Sequence, residues 1–177
     1  MKFSRRRKEE RKKQRKPERG DKVLKKIYVD SNIFVDVEVP ERQHHLKSKE
    51  FMERVLGRRD IKVCTSIYTS LEVASALRRQ KGQRTIYRYL YNIHIKYKEG
   101  QVMWLPPTKK NIDFNHLVEK LVETAIKHAT PSGDSIHVLT MVEHRIKTLI
   151  TWDKRDFRNV KGKEVFTPEE FLQTLTT

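Results

Sequence analysis

Cys64 is the only cysteine in the 177-residue chain. One thiol closes no internal disulfide and cannot by itself build a thiolate metal site. Inside the apolar run IKVCTSI it reads as a small buried hydrophobe in a reducing compartment. No apolar run approaches the length of a membrane span, and the basic start lacks the apolar segment of a secretory signal. The chain also has no internal repeat, and no Gly-rich loop follows its first predicted strand, which removes the nucleotide-binding layouts that need one. A cytoplasmic location is expected, or a nuclear one in a nucleated cell.

The net charge of +16 is unevenly spread. Residues 1–26 hold 14 Lys or Arg against 4 Asp or Glu, a net of +10, which leaves +6 for the other 151 residues. We therefore divide the chain into a basic, disordered arm over 1–22 and one globular domain over 23–177, long enough to bury a full core. Each basic side chain that reaches a phosphate releases a condensed counterion, so the arm suits nucleic acid without reading any base. Membrane binding would want an apolar face or a lipid signal, and the arm offers only Phe3 before Val23. A merely solvated arm is the other reading. Deleting residues 1–20 is predicted to weaken nucleic-acid binding and flatten its salt dependence while leaving the fold intact; an unchanged salt slope in a titration would discard that role.

After Gly20 the pattern becomes that of a folded α/β chain. KKIYVDSNIF reads as a β-branched and aromatic strand running into a polar turn, and Pro40 closes a loop. Leu46, Phe51, Met52, Val55 and Leu56 recur at helical spacing over 42–56, with Gly57 as the stop. IKVCTSI is a second strand, and 68–79 and 84–98 are helices. VMWL is a strand stopped by Pro106 and Pro107, followed by a long helix from Ile112 to about Thr130. Gly133 and Asp134 open another helix, TLITW is a compact strand, and EVFT leads to a short helix begun by Pro168. Strands that are apolar on both faces and alternate with helices predict a parallel sheet covered on each side.

In such a sheet active groups gather beyond the carboxyl ends of the strands. Asp30 ends the strand IYV, and Asp153 follows two residues after TLI closes at Thr151. Their carboxylates converge if those strands are neighbours. Asp134 starts a helix, where outward N–H groups favour an anion, and Glu72 projects from the helix after the second strand. Each also has a structural reading: Asp30 and Asp153 as turn caps, Asp134 as a first-turn anion, Glu72 as a solvated acid. Together they weigh more, because carboxylates sharing a cleft repel unless a cation neutralises them. Hard oxygen donors suit Mg²⁺ or Mn²⁺. Such an ion lowers the pKa of bound water and offsets charge on a phosphodiester oxygen, which is hydrolytic chemistry. Phosphotransfer folds of similar layout need a second acid two residues after the first, where this chain has Asn32.

The ordered segments IYVDSNIF, SLEVASAL, SGDSIHVLTM, LITWDKRDF and FTPEEFL resemble the PIN-domain nucleases, most closely the VapC-like branch. The resemblance spans Lys26 to Leu172. It implies a three-layer α/β/α sandwich with a central parallel sheet in the order 3-2-1-4-5. It also implies that Asp30, Glu72 and Asp134 are the three main acids, with Asp153 as the fourth, and that the cofactor is Mg²⁺ or Mn²⁺. Asn32 and Thr151 fall where the family keeps a polar side chain that steadies the acids or the bound water. Asp156 is a secondary candidate, as a cap or a partner of Arg155 or Arg158. The chain departs from the branch in its basic arm and at His137, where a small residue is more usual. His137 is one turn along from Asp134 and could approach the site, but we favour a histidine packed against a neighbouring helix, and we read the adjacent His44 and His45 as surface residues.

The segment RTIYRYLYNIHIKYK interleaves tyrosines with basic residues. Ile86, Tyr89, Leu90, Ile93 and Tyr97 read as a core-facing stripe. That leaves Arg84, Arg88, Tyr87 and Tyr91 as RNA contacts, joined by Arg78 and Arg79, or as a homodimer or peptide surface. Three functional readings follow: a ribonuclease toxin with an antitoxin partner, a nuclease of ribosomal RNA maturation or RNA decay, and a non-catalytic RNA-binding assembly protein. The expected partners are RNA, an antitoxin and a second copy of the chain, with no membrane.

Overall fold

The computed structural model describes residues 24–175, apart from the side chains of His94, Lys96, Tyr97 and Lys98. The predicted arm over 1–22 lies outside the described residues, as does the Tyr97 side chain assigned to the core stripe.

Five parallel strands form one sheet: β1 (Lys25–Val29), β2 (Ile61–Ser66), β3 (Val102–Leu105), β4 (Thr148–Ile150) and β5 (Glu164–Phe166). Their order is β3-β2-β1-β4-β5, the order expected. The helices are α1 (Ser31–Glu38), α2 (His45–Leu56), α3 (Ile67–Lys81), α4 (Gln83–Lys98), α5 (Phe114–His128), α6 (Ser135–Glu143) and α7 (Pro168–Gln173).

Strand alternation sorts the core into two layers. Ile27, Val29, Val63 and Ile150 face one side, against Ile33 and Phe34 of α1, Phe51 and Val55 of α2, Val73 and Leu77 of α3, and Phe171 of α7. Tyr28, Cys64 and Leu149 face the other, against Val138 and Met141 of α6 and Phe157 beyond β4. Removing each such side chain from water contributes about 1.5–3 kcal/mol. Cys64 is buried, and burial pushes its thiol up to about 11, so it behaves as the small hydrophobe the sequence suggested.

Several sequence expectations are corrected. The polar turn after the first strand is a helix, α1, capped by the Asp30 carboxylate on the Ser31 N–H. The apolar run Ile33-Phe34-Val35 masks helical periodicity because all three are buried. Helix α2 starts at His45 rather than Arg42, and its Leu46 is exposed. Helix α5 starts at Phe114, capped by Asp113, rather than at Ile112, and ends where Ala129 turns left-handed at φ 48°. Of the stripe assigned to α4, Tyr89 is buried but Leu90 is exposed. The short helix at Pro168 is as expected, closed by a capping box between Thr167 and Glu170.

The sheet reverses direction of winding between β1 and β4, the switch point at which parallel sheets open a crevice. Register there is direct: Val29 pairs with Ile150, and the Asp30 N–H donates to the Ile150 carbonyl at 3.0 Å. Asp30 and Thr151 therefore leave the sheet side by side.

Candidate active site

Asp30 is the best-held acid of the rim and is only 6% exposed. Its Oδ1 accepts from the Ser31 N–H at 2.6 Å, and its Oδ2 accepts from Asn32 Nδ2 at 2.9 Å and from Thr151 Oγ1 at 2.8 Å. Thr151 Oγ1 in turn accepts from Asn32 Nδ2 at 2.9 Å and from the Asp153 N–H at 3.0 Å. The end of β1, the first turn of α1 and the exit of β4 are thus tied into one polar network. Burial raises the Asp30 pKa and the Glu72 charge adds to it, against the lowering influence of His137 and of the bonds from Thr151 and Ser31.

Asp134 precedes α6 and makes no capping bond with its side chain. Burial, then the charge of Asp30, push its pKa up to about 6; Asp156 and Glu72 add further repulsion, and His137 opposes them. Glu72, on α3, has a half-exposed side chain whose Oε2 lies 2.9 Å from His137 Nε2. His137 itself is 1% exposed. Burial works against its charged form, but the bond to Glu72 and the charges of Asp30, Glu72 and Asp134 outweigh that and raise its pKa.

Asp30, Glu72 and Asp134 therefore share one electrostatic neighbourhood, with His137 among them. Of the two acids after β4, Asp156 adds its charge to Asp134, while lying 3.7 Å from Arg155 Nε; Asp153 is anchored through its backbone N–H. Among the described residues no Lys or Arg forms an ion pair with Asp30, Glu72 or Asp134. No group of three His, Cys, Asp or Glu among them closes to metal-holding distances either. Glu72 pairs with His137 instead. The donor chemistry still fits a hard divalent cation: oxygen ligands from three elements, excess negative charge, and Asn32 Oδ1 buried with no partner beside Asp30.

His137, favoured in the sequence as packed against a neighbouring helix, does meet α3, and it does so through Glu72 of the acidic set. It lies one turn after Asp134, so both point to the same side of α6, and that i, i+3 spacing was the available signal. His44 and His45 are half-buried rather than on the surface: His44 stacks on Trp152 with ring centroids 4.0 Å apart, and His45 Nδ1 meets the Asp36 carbonyl at 2.8 Å.

A groove of about 570 Å³ runs between α1 and α3, lined in part by Asn32, Arg42, Glu72 and Arg79. Of the four arginines singled out in the sequence, Arg79 lines it. Arg88 instead pairs with Glu38 at 3.2 Å, and Arg78 and Arg84 are exposed. Among the described residues no helix is long and apolar enough to cross a membrane.

The sequence model of one protein family, the PIN domain, matches residues 27–163. No curated protein matches the chain. Among solved structures the chain is similar to VapC20 of Mycobacterium tuberculosis, described as a sarcin-ricin loop cleaving toxin: 19% identity, TM-score 0.60, covering 78% of this chain and 98% of that one. It is similar to a toxin–antitoxin complex from Klebsiella pneumoniae, with 20% identity, TM-score 0.53 and coverage of 80% and 97%. A third likeness is to PAE2754 of Pyrobaculum aerophilum, with 17% identity, TM-score 0.53 and coverage of 85% and 89%.

Proposed function

Since the chain belongs to the PIN-domain family, we propose that it is an Mg²⁺- or Mn²⁺-dependent endoribonuclease whose acidic centre is Asp30, Glu72 and Asp134, with Asp153 as the fourth acid. The observation that supports this reading is that Asp30 and Glu72 both act electrostatically on Asp134 while none of the three pairs with a Lys or Arg among the described residues; burial, and then the charge of Asp30, raise the Asp134 pKa to about 6. When bound, the cation would supply Lewis acidity and a lowered pKa for water. The chain's own groups do the rest. Asn32 and Thr151 fix the Asp30 carboxylate, and Asn32 Oδ1 is an acceptor for a water proton beside it. Arg79, on the groove that reaches Asn32 and Glu72, supplies positive charge for an RNA backbone, while Arg42 on the same groove is ion-paired with Asp36. Labelled single-stranded RNA should be cut in Mg²⁺ or Mn²⁺ and left whole in EDTA; binding without any cleavage would favour the non-catalytic reading.

The likeness to toxin–antitoxin complexes supports a toxin role, with an antitoxin covering the groove between α1 and α3. The basic arm favours a second reading, ribosomal RNA maturation or RNA decay, in which sequence-independent RNA affinity is useful. A small antitoxin gene directly upstream supports the first. Either role places the protein with RNA in the cytoplasm.

A homodimer is the third partner. Helix α5 exposes Phe114, Val118, Val122 and Ile126 at four-residue spacing, the outer two by 75% and 77%. Two copies of α5 packed antiparallel about Lys120 would set Phe114 against Ile126, Val118 against Val122, and Asp113 against Lys127. Val122→Glu places charge at the centre of that stripe and is expected to convert dimer to monomer in light scattering; a wild type that is already monomeric would remove the proposal.

A further inference from the structure

We propose that His137 is a positioning residue that aims Glu72 into the acidic centre, an inference that rests on the metal-dependent reading above. Glu72 projects from α3 on a flexible side chain that is 38% exposed, so nothing in its own helix fixes the carboxylate. The fixing comes from behind. His137 Nε2 meets Glu72 Oε2 at 2.9 Å, and His137 Nδ1 meets the Tyr28 hydroxyl at 2.8 Å. Tyr28 is fully buried in β1, and its ring contacts the imidazole edge-on at 5.8 Å.

The order of donors follows from chemistry. Burial, then the charge of Asp30, push the Tyr28 pKa upward, so it stays a neutral phenol able to donate to Nδ1. The imidazole proton then sits on Nε2 and is donated to Glu72. A charged imidazolium would keep the same Nε2–H on Glu72 and make the phenol oxygen the acceptor, so the aim is the same in both protonation states. Glu72 Oε1 takes no hydrogen bond from the described residues, which leaves it for a cation. The same link joins α3 to α6, the helices that bring Glu72 and Asp134. A carboxylate–histidine pair behind a metal ligand orients it and sharpens its affinity, and losing such a partner typically weakens metal binding about 10–100-fold.

The test is Mn²⁺ affinity by calorimetry, with RNA cleavage alongside. His137→Gln keeps an N–H near the Nε2 position, whereas His137→Asn keeps a polar group only near Tyr28. The expected result is Mn²⁺ binding within about threefold of wild type for His137→Gln, and weakening of about 10–100-fold for His137→Asn, with kcat lowered and KM for RNA unchanged. Equal losses in both folded variants would mean a structural histidine and overturn the proposal, as would wild-type affinity in His137→Asn. If His137→Asn does not fold, Tyr28→Phe is read instead: it removes only the hydroxyl, so weaker Mn²⁺ binding supports the brace and unchanged binding overturns it. The expected affinity pattern in a protein that cuts no RNA would support the positioning role and defeat the ribonuclease reading. A wild type that cuts RNA and binds Mn²⁺ while His137→Asn matches it would defeat the positioning role alone. Absence of Mn²⁺ binding in the wild type would overturn both.

Discussion

Asp30→Asn is expected to lower the rate of RNA cleavage by on the order of 10³-fold, about 4 kcal/mol of transition-state stabilisation, with the fold retained. The loss is chemical because the substitution changes charge and almost nothing in shape. Asparagine still offers one oxygen to the Ser31 N–H, while its amide nitrogen would face the donors Asn32 Nδ2 and Thr151 Oγ1. The strain of that mismatch is offset by removing a buried carboxylate whose pKa burial already raises. Circular dichroism and a melting curve should therefore match a folded protein. Cleavage within tenfold of wild type would show that the hydrolytic centre lies elsewhere.

Asp134→Asn should make the metal-free protein more stable at neutral pH, although it removes a residue of the acidic centre. The folded-state pKa of Asp134 is raised from 3.8 to about 6, so its ionised form is disfavoured by folding. The native state then binds more protons than the unfolded state across the window between those values. Stability at low pH is unaffected; it falls as pH rises from about 4 to about 6 and stays reduced above. Taken at face value the shift is worth about 3 kcal/mol, but Asp134 is partly exposed, and solvent screening reduces this to about 1 kcal/mol. In EDTA at pH 7.5 the variant should melt about 2–4 °C above wild type, and at pH 4 the two should coincide. Adding millimolar Mn²⁺ should reverse the order, since a cation that binds the native carboxylates stabilises the wild type by mass action. A variant that melts below wild type in EDTA at pH 7.5 would contradict the assigned repulsion.

These two substitutions probe what the tertiary structure contributes beyond the residue list. Asp30 at a strand end and Asp134 at a helix start could be proposed from periodicity, because chemistry at a parallel sheet concentrates at such positions, whereas Glu72, inside α3, was singled out by the family resemblance. Helix α1 was not legible, since three consecutive buried residues erase the alternation that distinguishes helix from strand. The spacing of His137 from Asp134 was legible, but its partners were not: Tyr28 and Glu72 are 109 and 65 residues away, and no local pattern encodes such distances. The same holds for Asp153 and Asp156. Both follow β4, and only the path of the chain after Trp152, stacked on His44, decides that Asp156 acts on Asp134.

By itself, then, the order of residues determined the alternation of strands and helices, the burial of both sheet faces, and the placing of Asp30 and Asp134 at the ends of elements. All of these are properties of segments a few residues long, governed by periodicity, capping and charge. The family resemblance already implied β1 beside β4; what only the folded chain decided is how side chains meet across such seams, with Thr151 holding Asp30 and, between α3 and α6, His137 holding Glu72. Contact between distant segments depends on how every layer packs at once, and that information is spread over the whole core rather than written at the site.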